Sequence, residues 1–368
     1  MARGFVLSAA LVAALAGCGA QASAASDGAP PNTCTRTATR VLAKIADGIY
    51  GEAAHGADVT SAVARVERST ALATAVGRGD ATATRAALRP LLRADIHRIV
   101  VLRGRRTLAS FGGPGALGPA RGVIRNAAGA PVGRFVLASG TAAGIAGVIR
   151  SVTGAQVVVG GSGGATAIAA EAFPSGPLRI ALRFPAPARC GPTPAATVAD
   201  TIGAVGERLF TAERDGAQVR HVLRVVARDP RFARAVRADD PAALRTQIVR
   251  FFKDPHLHVV RIRATDAHGR LVNDVGGPFV LAPASAPVEL HGRRVGTATL
   301  SIQDDTGYIK LMHRFTGADV VLHLNGRTVP GSNRFPGPPF APGLTKGAYG
   351  FTAPAFPSGR LQVSLLVP

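Results

Sequence analysis

The sequence predicts an α+β protein built from two tandem copies of one domain. Three observations support this prediction: helix-spaced apolar residues open each half, strand-like alternation follows, and short peptides recur in the same order in both halves. The longest shared peptide, Ala-Phe-Pro-Ser-Gly, occupies residues 172–176 and again residues 355–359. Each copy would hold about 160 residues, a common size for an independent domain.

The recurring peptides keep nearly constant separations. Five matches upstream of the shared pentapeptide are 160, 160, 164, 163 and 163 residues apart, and the pentapeptide repeats after 183. The matched pairs are Ala75-Val76 with Ala235-Val236, Asp80 with Asp240, Gly112-Gly113-Pro114 with Gly276-Gly277-Pro278, Val132-Gly133 with Val295-Gly296, and Thr153-Gly154-Ala155 with Thr316-Gly317-Ala318. A colinear series of this length indicates a duplication whose register drifts only by loop-sized insertions.

The N-terminus has the pattern of an export signal. Arg3 precedes a short apolar run, and Leu15-Ala16-Gly17-Cys18 resembles the cleavage box of bacterial lipoproteins. We expect residues 1–17 to be a signal peptide and Cys18 to carry the lipid. Residues 18–33 should form a disordered tether, because they are rich in Ala, Ser, Gly and Pro. The alternative is an ordinary secretory peptide with a coincidental cysteine.

This interpretation places the protein on the extracytoplasmic face of the cell membrane, anchored by its lipid. Domain 1 would span residues 34–190 and domain 2 residues 191–368. Cys34 and Cys190 flank the first copy, and export allows cysteines to pair, so we predict a disulfide between them. The alternative is two unpaired thiols.

The formal net charge of +21 does not indicate nucleic-acid binding. Only four of the 43 Lys and Arg residues are lysine, and the arginines are scattered rather than clustered. We see no basic motif interleaved with aromatic residues. A solvated basic surface is the simpler interpretation, with attraction to anionic lipid or wall polymer as a secondary effect.

The second copy shows the order of elements most clearly. Apolar residues at helical spacing predict one long amphipathic helix over residues 197–228, which Asp229-Pro230 ends. Asp240 then fits an N-cap, with Pro241 at the first helical position. From residue 256 the period changes to two. It predicts a strand over 259–264, a turn at 266–269 and a returning strand over 271–275.

A Pro-rich loop then leads to a third strand over 294–303. Asp304-Asp305 should cap a short helix over 308–315, and residues 319–324 and 361–367 complete the strands. The first copy follows the same plan. Its long helix is predicted over 41–75 and its strands over 99–102, 132–138, 155–159 and 178–184.

This order of elements resembles the extracytoplasmic PAS-like sensor module known as the Cache domain. Residues 258–274 look like the "strand, Asp-x-x-Gly, strand" hairpin of that family, and Val295-Gly296 resembles its Ile-Gly step. The resemblance implies two tandem PAS-like (Cache) domains. Each would have a long N-terminal helix packed on an antiparallel sheet of about five strands. Related receptors continue into a membrane helix and a signalling domain, whereas this sequence ends at Pro368, so we expect a separate membrane receptor as partner.

The resemblance also implies a small-molecule site, because such domains hold small ligands with Arg, His, Lys and hydroxyl groups. The matching residues in the second copy form two groups: His258, Arg261 and Arg263 on the first strand, and Gln303, Asp304, Tyr308, Lys310 and His313 around the later helix. Arginine suits a bidentate contact with a carboxylate. The alternative is that Asp304 only caps the helix and the strand arginines point to solvent.

Comparison of the copies favours binding in the second. Where it has residues 301–310, rich in polar groups, the first has Gly140–Gly147, which lacks nearly all of them. We therefore expect a packing or spacer role for the first copy. The second also has about 20 extra residues around 325–346, dense in Pro and Gly, which would be either a lid or plain disorder.

We predict no metal site and no cofactor. His256, His258 and His268 could approach one another, but no acidic residue has a diagnostic spacing. Gly160-Gly161-Ser162-Gly163-Gly164 formally matches a nucleophile elbow, yet a flexible turn explains it better. The prediction is a non-enzymatic binding or sensory lipoprotein whose ligand is a small carboxylate or amino acid. The alternatives are a structural or interaction lipoprotein of the cell envelope and, more remotely, an envelope hydrolase.

Overall fold

The computed structural model describes residues 32–92, 95–161, 166–254, 257–277, 280–324, 327–329, 348–357 and 359–366. The predicted signal peptide, the predicted lipid site Cys18 and nearly all of the tether lie outside these ranges. So do Ser162, His256 and most of the segment 325–346.

The chain divides into two compact units. The described part of the first unit is residues 42–185, and that of the second unit is residues 32–41 together with residues 186–366. The fold is mixed α+β with several antiparallel sheets, as predicted.

The helices of the described residues fall in two similar series. The first series is α1 Thr33–His55, α2 Ala57–Glu67, α3 Thr70–Arg78, α4 Ala81–Leu88, a 3₁₀ turn Arg89–Leu91 and α5 Ala142–Thr153. The second series is α6 Pro194–Asp215, α7 Ala217–Ala227, α8 Pro230–Arg237, α9 Pro241–Lys253 and α10 Asp305–Thr316.

The strands also fall in two series. The strands of the first unit are β1 Arg98–Arg103, β2 Arg106–Gly112, β3 Ala116–Leu117, β4 Ala120–Arg125, β5 Pro131–Ala138, β6 Gly140–Thr141, β7 Gln156–Val159, β8 Thr166–Glu171 and β9 Pro177–Arg183. Those of the second unit are β10 Arg261–Asp266, β11 Leu271–Gly276, β12 Val280–Leu281, β13 Ala284–Leu290, β14 Arg293–Ser301, β15 Gln303–Asp304, β16 Asp319–Leu324, β17 Arg327–Thr328, β18 Ala348–Pro354 and β19 Arg360–Leu366.

The two units have the same sheet topology. In the first unit the orders are β2-β1-β5-β4, β3-β6 and β7-β9-β8, and in the second they are β11-β10-β14-β13, β12-β15 and β17-β16-β19-β18. Only β17 has no counterpart among the described strands of the first unit. Each unit also has one isolated bridge at the same place, Leu117 with Ala172 and Leu281 with Ala355.

The prediction of one sheet of about five strands per domain is wrong. The strands that follow α5 and α10 pair only with one another, so each unit contains a main sheet and a separate second sheet. In each unit a 12-residue helix and a tight left-handed glycine separate the two sheets along the chain. Strand count and alternation do not distinguish one sheet from two, because pairing partners are set by tertiary contacts.

The long helices predicted over 41–75 and 197–228 are broken. Gly56 separates α1 from α2, and Gly216 separates α6 from α7; each has extended ψ near 180°. A Cβ at Gly56 or Gly216 would collide with the carbonyl oxygen of Glu52 or Ala212, respectively. A third break lies at Arg68-Ser69, between α2 and α3, where Ser69 caps the next helix. The apolar period continues across the two glycines, which is why the pattern predicts continuous helices there.

The predicted caps and most of the predicted strands are confirmed. Asp240 accepts hydrogen bonds from the backbone N–H groups of Ala242 and Ala243, at 3.0 and 2.9 Å. The prediction of a Pro-rich loop between residue 278 and the third strand is wrong in part, because this segment contains the strand β13. Pro287 is tolerated there because β13 is an edge strand, where a missing N–H donor need not disrupt the sheet.

Each main sheet buries one face under the helices that precede it. In the first unit Ile99, Val101 and Phe135 pack with residues of α2 and α3. In the second unit Ile262, Ala264 and the neighbouring strands pack with α7, α8 and α9. Arg98 and Arg261, which open the first strands, each precede a core-facing isoleucine and so lie on the opposite face of their sheets.

The predicted disulfide is confirmed. Cys34 at the start of α1 bonds to Cys190, with Cα atoms 5.7 Å apart and a sequence separation of 156. Among the residues that the structure describes, no helix is both long and apolar enough to cross a membrane.

Candidate functional site

Two of the three residues predicted on the first strand, Arg261 and Arg263, converge on an internal carboxylate, whereas His258 precedes β10. Arg261 Nε and Nη2 donate to the two carboxylate oxygens of Asp274, at 2.7 and 2.8 Å. Arg263 Nη1 lies 3.5 Å from the same carboxylate. The Arg261 guanidinium also lies 4.7 Å from the ring centroid of Phe356, a cation–π distance.

Three residues of the second predicted group have structural partners. Tyr308 is fully buried, donates from its hydroxyl to the Gly206 carbonyl oxygen at 3.0 Å, and packs edge-on against Phe210. Burial raises the pKa of Tyr308, so this hydroxyl stays protonated. Asp304 caps α10 by accepting from the Gly307 N–H, and Gln303 donates to the Asp304 carbonyl oxygen at 3.2 Å.

The remaining predicted residues are exposed. His313 Nδ1 lies 3.3 Å from Asp319, and Lys310 and His258 face solvent. His258 has a positive φ of 49°, a conformation that few residues with a side chain adopt. The eight residues therefore occupy three different settings: an ion-pair cluster on β10, the interior beside α6, and the surface.

A groove that the sequence does not predict lies elsewhere in the second unit. It has a volume of about 500 Å³ and is formed by α6, β18, β19 and the segment before α6. The polar residues that line it are Arg189, Glu207, Thr211, Arg214, Thr352, Gln362 and Ser364, and its aromatic residues are Phe210, Tyr349 and Phe351.

Tyr349 organises the polar end of this groove. Its hydroxyl donates to Glu207 Oε1 at 2.6 Å and accepts from Arg189 Nη1 at 3.4 Å. Burial, together with the Glu207 carboxylate, raises the pKa of Tyr349 to about 12. An acceptor carboxylate and a donor guanidinium thus contact one neutral hydroxyl.

The backbone of α6 creates the space for this arrangement. The ring of Tyr349 lies directly on Gly203, where a Cβ would collide with it. Glu207 is one helical turn further along and is exposed to solvent at the groove. A glycine inside an amphipathic helix is a sequence signal of close approach, and α6 contains two, Gly203 and Gly206. The contact itself joins residues 142 apart, so no local pattern reveals it.

The groove chemistry is specific to the second unit. Counting along the matched strands and helices, the positions of Glu207 and Tyr349 correspond to Asp47 and Thr166 in the first unit. Asp47 is exposed, and threonine cannot place a ring on the helix. The duplication therefore conserved the scaffold and changed this pair.

The described part of the chain contains no set of side chains suited to hold a metal ion. No three His, Cys, Asp or Glu side chains there lie close enough to hold an ion. His256, one of the three histidines considered from the sequence, lies outside the described residues, as does the serine of the elbow-like segment.

No protein-family model matches the chain, and no curated protein or solved structure shows significant similarity to it.

Proposed function

We propose that this protein is a non-enzymatic extracytoplasmic binding protein, anchored by a lipid at Cys18, with two tandem PAS-like domains. The groove of the second unit would bind a small zwitterion such as an amino acid. The protein would then act through a separate membrane receptor. The observation that carries the proposal is the pairing of Glu207 and Arg189 around the Tyr349 hydroxyl.

The geometry suits a ligand that carries both a positive and a negative group. A carboxylate has about four acceptor positions, and the Tyr349 hydroxyl uses one of those on Glu207. The others can accept from an ammonium group. Arg189 has five N–H donors and contacts the hydroxyl with one, so it can bind a carboxylate bidentately. An α-amino acid carries these two groups on one carbon.

A second candidate function is a structural or interaction lipoprotein of the cell envelope. It is favoured by the internal partners of Arg261 and Tyr308, because side chains there already satisfy the groups that a ligand would contact. In that case the folded units would serve as a surface for a protein or wall polymer rather than as receptors.

A thermal-shift screen of the purified protein against amino acids and small carboxylates distinguishes these functions. A ligand at 100 times its dissociation constant should stabilise the protein by about 2.7 kcal/mol. Glu207→Gln and Arg189→Gln should each abolish the shift that an amino acid produces through the groove, whatever a simple carboxylate does. Asp47→Asn, at the matching position of the first unit, should not change it.

Two results would contradict the proposal. A shift that persists in both groove variants would place the ligand elsewhere. A complete absence of shifts, together with capture of a wall polymer, would favour the structural function.

A further inference from the structure

The duplicated architecture allows the two units to be compared residue by residue at the start of the main sheet. Arg98 pairs with Gly112 on one side and Ala138 on the other, and Arg261 pairs with Gly276 and Ser301. The two arginines therefore occupy the same position of the same strand in the two units.

Their surroundings match in a second respect. The Arg98 guanidinium lies 4.9 Å from the ring centroid of Phe173, and the Arg261 guanidinium lies 4.7 Å from that of Phe356. Both phenylalanines belong to the repeated Ala-Phe-Pro-Ser-Gly peptide. The residue paired with each arginine must be glycine. Gly112 and Gly276 have φ angles of +98° and +143°, and a Cβ at either position would collide with the backbone of the arginine's strand.

The units differ in what the guanidinium binds. In the second unit Arg261 forms two parallel hydrogen bonds to the Asp274 carboxylate, which stands on β11 opposite Arg263. The corresponding residue of β2, opposite Val100, is Ser110, which is exposed and too short to take this role. Among the described residues, no acidic side chain forms an ion pair with Arg98.

A buried polar atom of Arg98 lacks a partner. Arg98 Nε is buried and has no hydrogen-bond partner among the described residues. In the second unit the corresponding nitrogen, Arg261 Nε, donates to Asp274. Buried polar groups are nearly always hydrogen-bonded, so Arg98 Nε indicates a missing partner.

We propose that Arg98 is the anion-binding residue of a second ligand site, in the first unit, and that its ligand is a small organic carboxylate. The carboxylate would take the place that the Asp274 carboxylate occupies in the second unit, with one oxygen on Arg98 Nε and the other on a terminal nitrogen. On this side no longer side chain of β2 replaces Asp274: Ser110 is exposed, and a Cβ at Gly113 would meet nothing within 4 Å.

This site is independent of the Glu207 groove. It also departs from the expectation that the first copy only packs or spaces. A carboxylate is favoured over other anions because the second unit already holds one in the matching geometry, and because a planar guanidinium matches a planar carboxylate through two parallel bonds.

The test uses acetate as the probe, with chloride at equal ionic strength as the reference, and follows binding by calorimetry and by the NMR signal of Arg98 Nε–H. Acetate should shift that signal and bind the wild-type protein. Arg98→Lys should weaken acetate binding about tenfold or more, because it keeps the charge but loses the paired donors.

Exchange of residues between the units provides matched variants. Ser110→Asp should supply the carboxylate from within, raise the melting temperature in chloride and abolish acetate binding at Arg98. Asp274→Ser should remove the carboxylate that Arg261 contacts and create a new acetate site in the second unit. Glu207→Gln, in the groove, should leave acetate binding at Arg98 unchanged.

The proposal is overturned if acetate does not move the Arg98 Nε–H signal of the wild-type protein. It is also overturned if Ser110→Asp binds acetate as the wild type does. If phosphate or sulfate binds at Arg98 more tightly than acetate, the assignment of a carboxylate ligand is wrong.

Discussion

The disulfide between Cys34 and Cys190 should be a main source of stability for this chain. The bond closes a loop with a sequence separation of 156, which contains all of the described first unit. Replacing both cysteines by alanine removes the cross-link and leaves no free thiol at either position. Cys190 is exposed, so a reductant can also break the bond in the folded wild-type protein.

The expected loss follows from the loop length. In the chain-entropy model a loop with this separation stabilises the folded state by about 5 kcal/mol relative to the fully unfolded chain. Measured values for disulfides are commonly about 2–4 kcal/mol. The Cα separation of 5.7 Å lies in the usual range, so the folded state accommodates the bond in an ordinary backbone geometry. We therefore expect the double variant to lose about 2–4 kcal/mol.

Guanidinium unfolding followed by circular dichroism measures this loss. The oxidised wild type, the reduced wild type and the Cys34→Ala/Cys190→Ala variant should be compared at one protein concentration. The two forms without the bond should unfold at the same, lower denaturant concentration. Equal stability of all three would refute the reasoning, and a difference between the two unbonded forms would assign the effect to side-chain packing instead of the cross-link.

Three other predictions concern single side chains. Tyr308→Phe should lower the unfolding free energy by about 0.5–1.5 kcal/mol in urea unfolding, because it removes the hydrogen bond from the buried hydroxyl to the Gly206 carbonyl oxygen, which keeps its partner within α6. An undiminished value would show that this hydrogen bond does not stabilise the fold. Burial raises the pKa of Glu213 from 4.5 to about 7, so the folded state binds this proton more tightly than the unfolded state. Stability should therefore fall as pH rises from about 4.5 to 7, and Glu213→Gln should remove this part of the pH dependence in melts across that range; an identical pH profile for the variant would contradict the assignment. Asp240→Ala should cost about 1 kcal/mol by removing the cap of α9, whereas Arg245→Ala on the exposed side of the same helix serves as the control; equal losses in thermal unfolding would argue against the cap.

Much of the fold could be predicted from the sequence because its signals are local. The N-caps Asp240 and Asp304 act within three residues of themselves, and a hairpin such as β10–β11 needs only alternation and a turn. The duplication is also readable, since matched peptides keep their order whatever the tertiary structure. The disulfide was predictable because the two cysteines flank one copy.

The groove could not be predicted for the opposite reason. Glu207 and Tyr349 are 142 residues apart, and each looks ordinary in its own segment. The same limit applies to Arg261. Its place on a strand can be predicted from the alternating pattern, but that pattern does not predict that Asp274 on the next strand accepts hydrogen bonds from its guanidinium. A residue suited to a ligand is equally suited to an internal partner.

Residue order along the chain was therefore enough to establish the α+β class, the repeat, the caps and the cysteine pair, because each depends on neighbours in sequence or on simple spacing. Tertiary structure was needed to divide the strands between two sheets, to seat Tyr349 on Gly203, and to show that Arg98 and Arg261 differ in their partners. Those features depend on which distant atoms meet, and a contact free energy acts only between groups that the fold has already brought together.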